Sequence, residues 1–324
     1  MTTVTISTML TTPTTMREPG RELHGLLLVD KPAGMTSAAV VARVKRVLAQ
    51  RKVGHLGTLD PFATGLLPVC LGEGTKIAPF LAEDEKRYVG DIALGTTTDT
   101  LDLTGTVLET RPVPRLSTRD IASAVEHLRG DILQTPPMYS ALKRDGVPLY
   151  RLARAGKTIE RAPRPVRIGR FDVAVVAPDR LRFAVTCSKG TYVRVLAQDL
   201  GLALGTGAHL ATLRRTASGP FDIAAAVPLD EVERVAAEGN LPLLTPSAAL
   251  ASLRAVVADE RTIGSIRRGQ QRALVALGPP RSAGEVVRVA NRGGDLVAIA
   301  SAADGATWQL DRVWTEGSVL GEIS

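Results

Sequence analysis

The densest arrangement for chemistry lies between Gly54 and Gly65, which reads Gly-His-Leu-Gly-Thr-Leu-Asp-Pro-Phe-Ala-Thr-Gly. Asp60 stands before Pro61, and a residue before proline is pushed from helical toward extended backbone. Gly54, Gly57 and Gly65 allow turns on either side. Leu59, Phe62, Leu66 and Leu67 supply apolar ballast beneath. Such a loop can hold one carboxylate at a pocket edge, ready to act as a nucleophile or base. Asp-Pro also starts ordinary turns, and the loop alone leaves both readings open.

Three further stretches bear on chemistry. Lys189-Gly-Thr-Tyr-Val-Arg194 opens a helix directly after a strand, where its two cations suit contact with an anion. Capping of that helix by Thr191 is the plainer alternative. Gly72-Glu-Gly-Thr-Lys76 resembles a phosphate loop only loosely, because its threonine precedes its lysine and the Walker spacing is missing. Asp99 and Asp102 lie in a Thr-rich turn without EF-hand spacing. The four histidines (His24, His55, His127 and His209) and two cysteines (Cys70 and Cys187) form no HExxH or CxxC pattern. The sequence therefore points to no metal, no nucleotide cofactor and no disulfide framework, and to a reducing cytoplasm.

The elements that must position these residues follow from apolar spacing. Gly25–Asp30 reads as a buried strand. Thr36 and Ser37 are good caps for a helix carrying Val40, Val41, Val44, Val47 and Leu48. Arg51–Gly65 reads as a loop, Leu66–Leu71 as a strand, Thr75–Ala82 as a short helix and Tyr88–Leu94 as a strand. Ser117 caps a helix to about Arg129. A helix over Leu149–Ala155 ends at Gly156. Val166–Ala177 and Arg180–Ser188 form a hairpin, followed by a helix over Tyr192–Leu204 and an extended stretch from His209 to Ala217. Leu229–Glu238 is helical, and the proline-bearing Gly239–Ser247 resembles a linker. Beyond it, strands are expected at Ala273–Leu277, Val286–Ala290 and Leu296–Ala300. This irregular alternation predicts an α+β core whose sheet is mixed and largely antiparallel, with helices flanking it.

The chain has 324 residues, 44% hydrophobic and 23% charged, enough for a globular core and a second small domain. No apolar run approaches a membrane span. The Thr-rich residues 1–20 read as a disordered leader, since they lack a basic start and apolar block. Formal net charge is +7. Between Lys143 and Arg170 nine basic residues face two acidic ones, so this segment alone carries +7. A solvated helix face would explain part of it; a phosphate-contacting arm explains it better. Aromatic content of 3% argues against single-strand stacking platforms.

Taken together, six blocks resemble the bacterial tRNA pseudouridine synthase family that modifies uridine 55, the TruB family. They are Gly25–Ser37, Gly54–Pro68, Lys86-Arg-Tyr88, Met138–Lys143, Lys189–Arg194 and Ala211-Thr-Leu-Arg-Arg215, in family order. The resemblance implies a catalytic domain over residues 21–247, with an RNA-gripping thumb at about 136–170. It further implies a small β-barrel, PUA-like RNA-binding domain over 248–324. Asp60 is implied as nucleophile, with Arg194 as its ion-pair partner and Tyr88 against the target base. Tyr192 and Leu213 are implied to line the uracil pocket, and His55 to enter the RNA loop as the base flips. Lys31 is implied to support the site or face phosphate. Lys143, Arg154 and Arg161 fall in the thumb and are expected to meet RNA. The implied partner is the T-arm stem-loop of tRNA, bound by a monomer without any cofactor. A non-catalytic RNA-binding protein on the same scaffold would keep the basic arm but lose the Asp60–Arg194 pair.

Overall fold

The computed structural model describes residues 22–81 and 85–315. The expected leader over residues 1–20 lies outside the described residues, as does Ala82 at the end of one expected helix.

The chain begins with β1 (Gly25–Lys31), α1 (Ser37–Val47), β2 (Val53–His55) and β3 (Thr64–Leu71), then α2 (Ala78–Leu81) and β4 (Lys86–Leu94). A small hairpin, β5 (Thr96–Thr98) and β6 (Val107–Thr110), precedes α3 (Thr118–Glu126) and β7 (Gly130–Gln134). The basic segment contributes β8 (Lys143–Arg144), β9 (Val147–Pro148) and α4 (Leu149–Arg154). Then come β10 (Arg164–Ala177), β11 (Arg180–Cys187), α5 (Val193–Ala203), β12 (Ala208–Ser218), β13 (Phe221–Asp222), β14 (Val227–Pro228), α6 (Val232–Ala237) and β15 (Leu243–Leu244). The C-terminal lobe holds α7 (Pro246–Ala249), β16 (Arg254–Val257), α8 (Glu260–Arg267), β17 (Glu285–Ala290), β18 (Leu296–Ala302) and β19 (Gln309–Val313).

One large sheet runs β14-β1-β3-β12-β4-β11-β10-β7. The β1–β14 and β3–β12 pairs are parallel and the other pairs along this path antiparallel, as the alternation pattern predicts. β1 reads as an unbroken apolar run because both its faces are covered. Leu27 and Val29 enter one core with Val40 and Val44 of α1, while Leu26 and Leu28 enter a second core behind the sheet. Thr36 caps α1, its Oγ1 accepting from the Ala39 N–H at 3.0 Å. On β4, Tyr88 and Ile92 point into the core, and Val89 and Asp91 line the opposite, open face. Both cysteines are buried and free, and burial pushes the Cys70 thiol up to about 12 and the Cys187 thiol up to about 11.

Several expectations need correction. The loop expected over Arg51–Gly65 includes β2, which pairs with β3 from Val53 to His55. The Thr75–Ala82 helix is a 3-10 segment, Gly72–Ile77, running into α2. The strand expected at Ala273–Leu277 lies within a 3-10 segment, Gln271–Leu277, whose Leu274 is buried under the C-terminal sheet. Val275 and Ala276 after it are both exposed, so burial does not alternate as a paired strand requires. The stretch read as a linker is tied down: β15 pairs antiparallel with β1, and Thr245 caps α7.

The C-terminal lobe was expected to close into a small barrel. Among the described residues it is an open sheet ordered β16-β17-β18-β19, whose end strands do not pair. Ile263 and Ile266 of α8, Leu274 and Trp308 cover its apolar side, so packing replaces closure. The lobe also shares a core with the large sheet. Trp314 is fully buried among Leu26, Leu28, Leu66, Ile77, Leu250 and Ile299. Lys76 donates to the Val313 carbonyl at 2.9 Å and sits 5.6 Å from the Trp314 ring centre. The Gly72–Lys76 stretch thus uses its lysine as a strut between lobes.

Trp314→Ala should cost about 3–5 kcal/mol, the usual range for emptying a large aromatic site. Because that core belongs to both lobes, scanning calorimetry should show one transition displaced downward. Two separated transitions, with the large-sheet one unmoved, would contradict the shared core.

Candidate active site

The loop after β2 carries Asp60, and the two residues that follow it, Pro61 and Phe62, line a cleft. Its neighbours are fastened on both sides. The Ser37 hydroxyl, at the start of α1, accepts from the Leu59 N–H at 2.9 Å and lies 3.2 Å from the Leu59 carbonyl. Gly34 N–H donates to the Pro61 carbonyl at 2.8 Å. Lys31, 0% exposed, gives its ammonium to the carbonyls of Pro32 (2.8 Å), Met35 (2.6 Å) and Pro61 (3.2 Å). Lys31 is therefore an internal clasp, with no exposed surface to meet a phosphate. Burial lowers its pKa from 10.5 to about 8; Asp60 partly restores it and Arg215 depresses it further.

Arg194 sits in the first turn of α5 and is 3% exposed. Gln134 on β7 braces the preceding residue but one, accepting from the Tyr192 N–H at 2.7 Å and donating to its carbonyl at 3.2 Å. The guanidinium grips Asp60 with two bonds, Nε to Oδ2 at 2.8 Å and Nη2 to Oδ1 at 3.0 Å. Its other donors reach the carbonyls of Thr100 (2.7 Å) and Tyr139 (2.8 Å). The Asp60 side chain remains 32% exposed, so it is within reach of an incoming group. Burial raises the Asp60 carboxyl above its ordinary value, and Arg194 pulls against that rise by charge and hydrogen bonding. The fork favours the anion and fixes its plane. This arrangement can deliver an oriented carboxylate to an electrophilic carbon.

Asp102 also belongs to this cluster, although sequence spacing does not single it out. It is 4% exposed, with Oδ2 3.9 Å from Arg194 Nε. Its Oδ1 accepts from the Thr100 hydroxyl (2.8 Å), the Thr104 N–H (2.9 Å) and the Thr104 hydroxyl (2.6 Å). Leu101, between Thr100 and Asp102, has φ +63°, a strained backbone for leucine. That turn aims the Thr100 carbonyl at Arg194. The sequence does carry a signal here, a Thr-rich turn with paired acids, but its lack of calcium spacing hides the role.

Tyr88 is 9% exposed on β4, directly across from Val185 of β11 and Arg215 of β12. Burial raises its phenol pKa, and Arg215 opposes the rise. Leu213, 6% exposed, lines the cleft with Pro61, Phe62, Thr64 and Leu103. The cleft measures about 990 Å³ and runs over the open face of the large sheet; Leu213 lines it, whereas Asp60, Arg194, Tyr88, Tyr192 and His55 are not among its lining residues. Tyr192 is half-buried beside the cluster, its phenol pKa raised by burial. His55, on β2, is half-buried, and burial together with the Arg215 charge lowers its pKa, favouring neutral imidazole.

The basic arm is less uniform than its composition. Lys143 on β8 and Arg154 on α4 are exposed or nearly so, Arg154 stacking 5.7 Å from the Tyr150 ring. Arg161 is half-buried and donates to the Pro136 carbonyl at 3.2 Å, closing the base of the arm.

Family models match this architecture. The TruB family pseudouridylate synthase N-terminal domain covers residues 45–193, and the tRNA pseudouridylate synthase B C-terminal domain covers residues 194–258. The chain is 50% identical over 224 residues to tRNA pseudouridine synthase B of Stutzerimonas stutzeri, spanning 69% of this chain and 73% of that one. The chain belongs to the TruB family of pseudouridylate synthases. A relative of the same name from Saccharophagus degradans is 41% identical over 302 residues, covering 90% of this chain and 96% of its own. Among solved structures, one titled as a Cbf5-Nop10-Gar1 complex superposes with a TM-score of 0.71 at 26% identity, over 90% of this chain and 84% of that one. This TruB-family chain is thus an isomerase on the pseudouridine synthase fold.

The Lys31 clasp has a pH signature. Between about pH 8 and 10.5 the unfolded chain keeps this proton while the folded chain releases it. The unfolded state then binds more protons, so stability gains with rising pH from this group. Lys31→Met removes the gain. The stability difference between wild type and Lys31→Met, from urea unfolding, should widen in favour of wild type across that window. A flat difference would show that the amine titrates normally.

Proposed function

We propose that this protein converts uridine to pseudouridine at position 55 in the T-loop of tRNA, with Asp60 as nucleophile. The carrying observation is the two-bond clasp of Arg194 on a partly exposed Asp60 beside Pro61 and Phe62 of the cleft. The relatives named as tRNA pseudouridine synthase B support the substrate class.

In this reaction the base leaves its ribose nitrogen link, turns and rejoins through carbon C5, and the C5 proton departs. Atoms are conserved and there is no net redox change. Asp60 attacks either the uracil C6 or the ribose C1′, or assists glycal formation by taking a ribose proton. Arg194 holds the carboxylate ionised and in plane. Tyr88 lies under the target base, near the proton to be moved. Leu213 and Tyr192 form the walls that accept uracil. The target must leave its stack to reach them, and His55, beside the nucleophile loop, fills the space it vacates. Lys31 and Asp102 act through others, one on the loop backbone and one on Arg194.

Lys143 and Arg154 present charge to the phosphate backbone, whose neutralisation contributes most to the binding of folded RNA. Arg161 shapes the arm from within. Residues 248–324 form an RNA-binding module that extends this surface, and residues 21–247 form the catalytic domain.

Tritium release from a C5-labelled uridine at position 55 of a T-arm stem-loop tests the reading. Wild type should release tritium, whereas Asp60→Asn should show no turnover while still binding the stem-loop. Substantial release by Asp60→Asn would refute the nucleophile. A second measurement tests the arm. Reversing Lys143 and Arg154 to Glu should weaken tRNA binding and lower the slope of log affinity against log salt by about 1–2, at roughly 0.7–0.9 per lost phosphate contact. An unchanged slope would remove these residues from the interface.

A further inference from the structure

Arg215 is 1% exposed and forms no ion pair with a carboxylate among the described residues. Burying an unpaired guanidinium is expensive, so its place needs a reason. Its Nε donates to the Leu66 carbonyl at 2.7 Å and its Nη2 to the Gly57 carbonyl at 3.0 Å. Gly57 lies in the nucleophile loop, three residues before Asp60, and Leu66 follows that loop on β3. Arg215 itself stands on β12, in register with Gly65 on one side and Tyr88 on the other.

The contact is close-built. A Cβ on Gly65 would lie 2.3 Å from the Arg215 carbonyl oxygen, and one on Gly57 would lie 3.3 Å from Arg215 Nη1. The two glycines let backbone and guanidinium meet. Arg194 holds the carboxylate of Asp60, but nothing in that clasp relates the loop to Tyr88. Arg215 supplies the relation, because one side chain spans both ends of the loop and its strand neighbour is the tyrosine. Burial raises the Tyr88 phenol's pKa and lowers that of His55, and the Arg215 charge opposes the first and adds to the second.

We infer that Arg215 is a positioning residue for the isomerisation: it fastens the backbone of the Asp60 loop to the strand pair carrying Tyr88, so that carboxylate and phenol keep one spacing. This rests on the function proposed above.

Two readouts test it. In Arg215→Lys, which keeps the charge but loses the fork, kcat for tritium release should fall at least about 30-fold, with KM for the stem-loop within about threefold. The second readout needs no substrate. The chain has four tyrosines, so fluorotyrosine labelling gives four ¹⁹F resonances, and the one missing in Tyr88→Phe belongs to Tyr88. In free Arg215→Lys the Tyr88 resonance should move while the other three stay. Should that variant fail to fold, Gly57→Ala presses on Arg215 directly. Gly130→Ala is its control, with a similar positive φ (+77° against +67°) and no atom within 4 Å of the added Cβ. Gly57→Ala should lower kcat and shift the Tyr88 resonance; Gly130→Ala should do neither. A kcat within threefold of wild type, or an unmoved Tyr88 resonance, overturns the inference. Turnover by Asp60→Asn would instead sink the proposed function, whatever Arg215 does.

Discussion

A single guanidinium decides how the centre of this molecule is arranged. Arg194 is almost wholly removed from water, and a buried cation left without acceptors is among the costlier faults a fold can carry. It therefore recruits Asp60 from the loop after β2, the Thr100 carbonyl from the turn after β5 and the Tyr139 carbonyl from the stretch between β7 and β8. Three segments distant in sequence meet because one side chain has several donors and little solvent. The strained Leu101 backbone and the buried Asp102 are the local adjustments that let the turn reach it.

The carboxylate so held is in tension between two effects. Burial favours its neutral form and the adjacent cation favours its charged form. The partial exposure of the Asp60 side chain matters here. Full enclosure would leave no approach for a substrate, and full exposure would leave the anion solvated and slow to react. Lys31 adds to the balance from below without touching the cleft, because its ammonium is occupied by three carbonyls.

Sequence and structure agree where local signals and tertiary need coincide. The capped α1, the β10–β11 hairpin and the mixed sheet follow from apolar spacing and turn residues. Asp60 and Arg194 are legible through the family resemblance, because the Asp-Pro loop and the Lys189–Arg194 block by themselves fit a plain turn and a plain helix cap equally well. Short elements are less legible. β2 lies among glycines and polar residues and exists only because β3 offers it an edge. β15 spans two residues and depends on β1. The segment at Gln271–Leu277 is apolar enough to read as a strand, yet Ala273, Leu274 and Leu277 pack on the C-terminal core while Val275 and Ala276 face out, at the spacing of a helical turn. Asp102 and Arg215 escape a sequence-based search for site residues for a common reason: each acts through backbone or through another side chain. No spacing rule marks such partners.

The seam around Trp314 limits how the C-terminal lobe could be reused. Its indole rests on a floor made by Leu26, Leu28, Leu66 and Ile77, residues that belong to the other lobe. A graft of this lobe onto a foreign scaffold would have to bring a matching floor along. Without one, the transplant would present an aromatic ring to solvent and invite self-association.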